Sequence, residues 1–379
     1  MPALPNLKRT SMVLLGICLT AGATSPALPA YAANKSEAPP VPGYTVRSFP
    51  AVGSETGPDD ITHLGTSVYV SFQNGVGPLG EASKSGATES TIQQYSLDGK
   101  PGESWQVTGK VDGLTADPAH HRLLLTSNED GNSSFATLSP EAGQPLTTYS
   151  YSGLTHGGGT DAITVKGGKI IVSASAPTVA TGPGAYSVAL EGTTAKLSAL
   201  FSDNTAATIA NGAQAGTTTT LALTDPDSNT AVPAATPRFK KTFMLDAQGD
   251  QQLIFAANLG KAKQSLQVLN VAQPLDDTVF AARTGETLWI TDPSANAVYA
   301  VSGPFKAGQP VSTVAPDSGA TSLNTLDLTS GALTPIAELS AIHPKGLMFM
   351  SAGGNGRDGH KRPNQSHDGE TATINSTRH

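Results

Sequence analysis

Eight side chains in this sequence have the chemistry and the spacing to build a site: Asp59, Asp60, Asp112, His156, Asp161, Asp277, His343 and Lys345. Each stands just before, or within a few residues of, a short apolar run that opens a repeated unit. Asp59-Asp60-Ile61-Thr62, Asp112-Gly113-Leu114-Thr115 and Asp161-Ala162-Ile163-Thr164 share one pattern. Asp277-Thr278-Val279-Phe280 varies it, with Asp276 alongside. Lys345-Gly346-Leu347 puts a cation where the others have an acid, and Leu221-Ala222-Leu223-Thr224 is a weaker copy without one. If the units are equivalent in space, these side chains converge. Several carboxylates around one point cannot all stay ionised without a cation or a raised pKa. Oxygen-rich sets of this kind suit calcium or magnesium, and Asp112, Asp161 and Asp277 are the candidate ligands. A His, a Lys and several Asp also make an acid–base set. The structural alternative is that each Asp caps a turn through backbone N–H groups.

Other segments narrow the chemistry. His156 precedes Gly157-Gly158-Gly159, which could let backbone N–H groups face a ligand. Asp225-Pro226-Asp227-Ser228-Asn229 alternates oxygen donors but lacks the sixth-position glycine and distal Glu of a calcium loop, and so reads as an Asx-turn. Asn128-Glu129-Asp130-Gly131-Asn132 reads as a hairpin turn. There is no Gly-x-Ser-x-Gly elbow, zincin motif, phosphate loop or dinucleotide fingerprint.

The elements that must position these residues are strands. Counted from Asp59, Asp112, Asp161, Leu221, Asp277 and Lys345, the units recur at intervals of 53, 49, 60, 56 and 68 residues. Periods of this size indicate a propeller or a solenoid. Each opening segment is followed by a β-branched or aliphatic run such as Val68-Tyr69-Val70 or Leu123-Leu124-Leu125, and then by hairpin signals such as Asp98-Gly99 and Ser330-Gly331. Four antiparallel strands per period make a propeller blade. The expected fold is therefore an all-β propeller over residues 44–352, with six blades and seven as the alternative. Residues 297–340 hold two sets of later strands for one opening unit, and Tyr44–Phe49 is positioned to complete the last blade.

The chain's ends and composition set the context. Residues 1–32 have the pattern of a signal peptide: Lys8 and Arg9, an apolar run from Ser11 to Gly22, then Ala30-Tyr31-Ala32. Its removal would take Cys18, the only cysteine, and would exclude thiol chemistry and cysteine zinc sites. Residues 33–43 read as a lead-in and 353–379, with His360, His367 and His379, as a disordered tail. The net charge is −7, or −9 once Lys8 and Arg9 are removed, which argues against nucleic acid as a partner. No apolar stretch is long enough to span a bilayer.

The repeats resemble those of secreted bacterial propellers of the NHL and YVTN type. The blocks at residues 128–134, 156–163, 223–229 and 344–347 resemble an exported bacterial propeller family to which no activity attaches. The resemblance implies fold and an extracellular or periplasmic location, and little chemistry. Glu55-Thr56-Gly57-Pro58 is only faintly similar to the Glu-Gly-Pro block of metal-dependent propeller lactonases, and no residue is carried over from it. Two functions are expected from these observations. One is a monomeric scaffold that binds a small molecule, a cell-wall component or a protein at the channel mouth, with a divalent cation. The other is a metal-dependent hydrolase or lyase of the lactonase type.

Overall fold

The computed structural model describes residues 41–141, 146–316 and 319–351. The expected signal peptide and tail lie outside these, as does most of the lead-in. Strand β1 (Thr45–Pro50) comes first. Blade 1 follows as β2 (Pro58–Leu64), β3 (Ser67–Phe72), β4 (Glu89–Ser96) and β5 (Pro101–Thr108). Blade 2 is β6 (Val111–Asp117), β7 (Arg122–Ser127), β8 (Ser134–Leu138) and β9 (Thr147–Ser152). Blade 3 is β10 (Gly159–Lys166), β11 (Lys169–Ser175), β12 (Pro183–Glu191) and β13 (Thr194–Ser202). The outermost strands of blades 2 and 3 touch in parallel, Thr194 opposite Ser150, which joins the two blades into one eight-stranded sheet. A short pair, β14 (Ala206–Ile209) and β15 (Thr218–Thr220), then precedes blade 4: β16 (Pro226–Ala231), β17 (Phe243–Ala247), β18 (Gln252–Ala257) and β19 (Ser265–Asn270). The pair lies on the outer edge of β19 and widens that sheet to six strands.

The last two blades are interwoven. β20 (Leu275–Phe280) is the innermost strand of blade 5, but the chain then crosses into blade 6 to form β21 (Thr287–Asp292) and β22 (Ala297–Ser302). It returns to blade 5 as β23 (Pro310–Val314), β24 (Ser322–Leu326) and β25 (Leu333–Pro335), with β23 pairing β20. It ends as β26 (Leu347–Met350), the innermost strand of blade 6, paired with β21. β1 supplies that blade's outermost strand, Thr45 opposite Ser302 to Pro50 opposite Ala297. The surplus of strands expected in residues 297–340 is thereby explained, and the N-terminal segment does complete the last blade. One expectation is corrected: Asp277–Phe280 and Leu288–Thr291, adjacent in sequence and read as one unit, lie in different sheets. Strand patterning specifies which residues are extended, not which sheet they join.

The innermost strands β2, β6, β10, β16, β20 and β26 contact one another in that cyclic order, so the six blades close a ring. Closure sets each innermost strand against its two neighbours on the ring and leaves the outermost strands as the blades' edges. The second strand of each blade is buried on both faces, and its side chains alternate between the two neighbouring interfaces. Leu123 and Leu125 face blade 1 while Leu124 faces blade 3; Leu288 and Ile290 face blade 5 while Trp289 faces blade 1. The core is thus six separate apolar layers, one at each blade interface. This is why the sequence shows continuous apolar runs where a one-sided sheet would show alternation. Two 3-10 turns are the only helical elements among the described residues, and none is long and apolar enough to cross a membrane.

Five of the innermost strands begin with a bulge that places two residues opposite one on the second strand, and the two residues before β26 bracket Thr291 in the same way. Those two-residue pairs are Asp59-Asp60, Asp112-Gly113, Asp161-Ala162, Asp227-Ser228, Asp276-Asp277 and, just before β26, Lys345-Gly346. The residues opposite them are, in the same order, Ser71, Thr126, Ser173, Asp246, Thr313 and Thr291. The bulges fasten neighbouring blades. Thr126 Oγ1 donates to the Asp161 carbonyl at 2.5 Å, Thr291 Oγ1 to the Asp59 carbonyl at 2.5 Å and Thr313 Oγ1 to the Lys345 carbonyl at 3.0 Å. The Asp60 carboxylate accepts from Leu114 N–H at 2.6 Å, the Asp277 carboxylate from Leu347 N–H at 2.8 Å, and Asn229 Nδ2 donates to the Ala162 carbonyl at 2.7 Å. Only blades 4 and 5 lack such a bond among the described residues. There, Ser228 Oγ and both oxygens of fully buried Asp246 have no partner.

The structure corrects the fourth opening unit. Leu221 and Leu223 are buried in the layer between blades 3 and 4 and lie on no innermost strand. Asp227 opens blade 4, and Asn229 occupies the place held by Ile61, Leu114 and Ile163 in blades 1–3. That polar residue at an apolar position hid the repeat.

Two outcomes follow from the bulges. A methyl group on Gly346 would lie 2.3 Å from the Asp59 carbonyl oxygen, against backbone that cannot move aside. Gly346→Ala is expected to destabilise the protein by about 1–3 kcal/mol, read as a fall in urea midpoint at unchanged slope. For Asp246, burial pushes the carboxyl well above its ordinary value, with Asp277 and Asp276 adding to the rise. With a folded pKa above the unfolded one, the folded state holds a proton that the unfolded state releases, so stability falls as pH rises from about 4. Asp246→Asn removes that loss. Its stability relative to the parent is expected to improve as the pH rises from about 4 to about 8 in urea titrations; an equal difference at both pH values would contradict the assignment.

Candidate functional site: the acidic mouth of the central channel

The first residue of each bulge faces the channel. In ring order these are Asp59, Asp112, Asp161, Asp227, Asp276 and Lys345, and all line one cavity of about 270 Å³. Beneath them, Thr62, Thr115, Thr164, Thr230, Val279 and Met348 form the next layer of its wall. The alternation of a strand brings one side chain per blade to each layer, so a six-fold repeat becomes a six-membered ring.

Six of the sequence-predicted residues, Asp59, Asp60, Asp112, Asp161, Asp277 and Lys345, line this cavity. Asp60 and Asp277 occupy the second bulge position, where each carboxylate is directed to an N–H of the next blade. In blade 5 the ring member is therefore Asp276, not Asp277. Neither histidine lines the cavity. His156 is fully buried within blade 3, its Nε2 donating to the Ser175 carbonyl at 3.1 Å and its Nδ1 accepting from the Tyr186 hydroxyl at 3.0 Å. Burial lowers its pKa, which suits a neutral ring that braces the glycine run. His343 stands two residues before Lys345 in the chain, with its backbone N–H donating to Asp292 at 2.9 Å.

Sequence reasoning missed Lys110, Glu129 and the ring role of Asp227. Lys110 precedes Val111-Asp112 directly, and its ammonium lies 2.9 Å from Asp112 and also pairs with Glu129 from the turn between β7 and β8. Asp112 further accepts from Gln73 Nε2 at 3.2 Å and from Glu129 N–H at 3.1 Å. Lys345 bridges the other side, 2.5 Å from Asp276 and 3.9 Å from Asp59. The two lysines thus pair with the ring acids of blades 5, 1 and 2. Asp161 and Asp227, neighbours on blades 3 and 4, have no ion-pair partner among the described residues. They bond each other: Asp227 donates to Asp161. Burial, and then the Asp161 charge, hold Asp227 well above the usual carboxylate range. Burial also pushes Asp59 and Asp277 up to about 7, against the pull of Lys345 on the first and the Leu347 N–H on the second.

The donor set does not suit a divalent cation held by Asp112, Asp161 and Asp277. Asp112 is saturated by Lys110, Gln73 and the Glu129 N–H, and Asp277 is turned to Leu347. Among the described residues no three His, Cys, Asp or Glu side chains gather as ligands for one ion.

No family model and no curated protein matches this sequence. Solved structures are similar in shape at low identity. A periplasmic gluconolactonase of Pseudomonas aeruginosa is 12% identical, covering 81% of this chain and 99% of its own with a TM-score of 0.44. Streptogramin B lyase is 12% identical over 75% of this chain and 73% of its own at 0.38, and a putative 6-phosphogluconolactonase of Bacteroides fragilis 12% over 76% and 85% at 0.39. At this distance the likeness carries no function, and the propeller assignment rests on the strand pairing and ring closure described above.

Proposed function

We propose that the protein binds a small polar molecule in the acidic mouth of its central channel. The observation that carries this reading is the convergence of one residue from each of six blades, five acids and a lysine, on a single cavity. A cavity of about 270 Å³ is too small for a polymer to enter, so a cell-wall component or protein could present only a terminal group to it. Its walls are polar at the acidic end, which suits a ligand that makes hydrogen bonds over one held by apolar contact. The pattern of residues 1–32 supports placing this activity outside the cytoplasm.

A second reading is acid–base catalysis of the hydrolase or lyase kind. The paired carboxyls of Asp161 and Asp227 favour it, since a carboxyl raised by burial can act as an acid beside an ionised partner. The lysines and Thr side chains around them would then orient the substrate.

The binding reading is tested by thermal shift and calorimetry with sugars, amino acids, amines and organic acids. Thr115→Phe, which fills the cavity from β6, serves as the control. At least one compound class is expected to raise the melting temperature, and Thr115→Phe to weaken that compound by about tenfold or more while leaving the fold intact. Binding that Thr115→Phe leaves unchanged would place the site elsewhere. For the catalytic reading, turnover of lactone and ester substrates should be lost in Asp161→Asn and Asp227→Asn; turnover that survives both would end it.

A further inference from the structure

We propose that the wall between blades 3 and 4 is a recognition subsite for a ligand's ammonium group, formed by Asp161, Asp227 and Asn229. The inference deepens the binding reading and rests on it. Four observations support it.

The charges around the cavity do not balance. Eight carboxyl groups line it, Asp59, Asp60, Asp112, Glu129, Asp161, Asp227, Asp276 and Asp277, against the ammonium groups of Lys110 and Lys345. The imbalance is also local. Lys345 sits between the acids of blades 5 and 1, and Lys110 between Asp112 and Glu129, which leaves the adjacent positions of blades 3 and 4 without a cation. A third ammonium there would complete the alternation of charge around the ring.

The same wall holds a hydrogen-bond acceptor without a partner. Asn229, buried and lining the cavity, has its Nδ2 held by the Ala162 carbonyl at 2.7 Å and by Ser173 Oγ at 3.3 Å. Its amide is therefore fixed, and Oδ1 remains an acceptor with no partner. A buried acceptor left unmade is costly, so the complementary group is one rich in donors. An ammonium offers three donors and no acceptor.

Finally, Asp161 and Asp227 can change state to meet the ligand. Burial raises both carboxyls and the Asp161 charge raises Asp227 further, which favours the protonated form of one of them. An ammonium between them favours ionisation of both, and the proton leaves to solvent. The groups that bear on this pair are Asp112, Glu129 and Lys110 from blade 2, Asp225 at the head of β16, and Asp276 and Lys345 from blades 5 and 6. None of them donates to Asp161 or Asp227.

The test uses the full chain with 1,4-diaminobutane, its uncharged counterpart 1,4-butanediol, and calcium chloride. Calorimetry in two buffers of different ionisation enthalpy is expected to show the diamine binding with release of about one proton at neutral pH, with the diol silent. The isosteric Asp227→Asn is expected to weaken the diamine by about tenfold and to abolish the proton release. Diamine and diol binding alike, or diamine binding that releases no proton and survives Asp227→Asn, would overturn the proposal. Calcium that displaces the diamine and binds more tightly through the same residues would overturn it as well. The proton count in the unsubstituted protein decides the matter even if Asp227→Asn folds poorly. If a neutral or anionic compound binds, is lost in Thr115→Phe and is untouched by Asp227→Asn, the channel reading stands and the ammonium subsite fails.

Discussion

The two-against-one pairing at the head of each innermost strand is the constraint on which the rest depends. It frees the carbonyl or N–H groups of two residues per blade, and neighbouring blades are fastened through them by Thr126, Thr291, Thr313, Asp60, Asp277 and Asn229. The close approach this requires explains Gly113 and Gly346, whose missing side chains leave room for the Asp161 and Asp59 carbonyls. The same geometry turns the first bulge residue of every blade toward the axis. Ring closure and the gathering of acids are therefore one event: a fold fastened at these points cannot avoid a crowded channel mouth.

Crowding has an electrostatic consequence. Carboxylates brought together in a half-buried ring raise one another's pKa values unless cations intervene. Lys110 and Lys345 intervene on one side only. On the other, Asp161 and Asp227 stand side by side with no cation paired to either among the described residues, and burial raises both carboxyls. The weak point of the fastening lies next to them, at blades 4 and 5, where Asp246 takes the place of the hydroxyl found in the other five blades and is left buried without a partner. A structure optimised for stability alone would carry Ser or Thr at that position. The departures from the repeat — Asp246, Ser228 and Asn229 — cluster behind one part of the cavity wall, which is where a repeat fold is expected to carry function rather than scaffold.

Much of this was legible in the residues. The period, the paired strands and the phase marked by Asp59, Asp112, Asp161 and Lys345 specify a propeller and the place where its side chains meet. Two things were not. The exchange of strands between blades 5 and 6 leaves no trace in local patterning, because β20 and β21 are as extended and apolar as any pair within one blade. The blade 4 opening was hidden because Asn229 replaces an aliphatic residue and Pro226 made the segment look like a turn. His156 misled in the opposite sense: histidine beside glycines suggests a ligand site, but its ring is consumed by Tyr186 and Ser175. Lys110 could have been found, since a lysine two residues before a ring acid is within reach of it.

The central claim is that the six blade-opening residues share one mouth, and that its unpaired side lies between blades 3 and 4. A crystal structure of the protein soaked with 1,4-diaminobutane tests it most directly. The account predicts an amine nitrogen within hydrogen-bond distance of Asp161, Asp227 and Asn229 Oδ1, with Lys110 and Lys345 still on their present partners. An empty channel, or an amine seated against Asp59, Asp112 or Asp276 in place of a lysine, would contradict it.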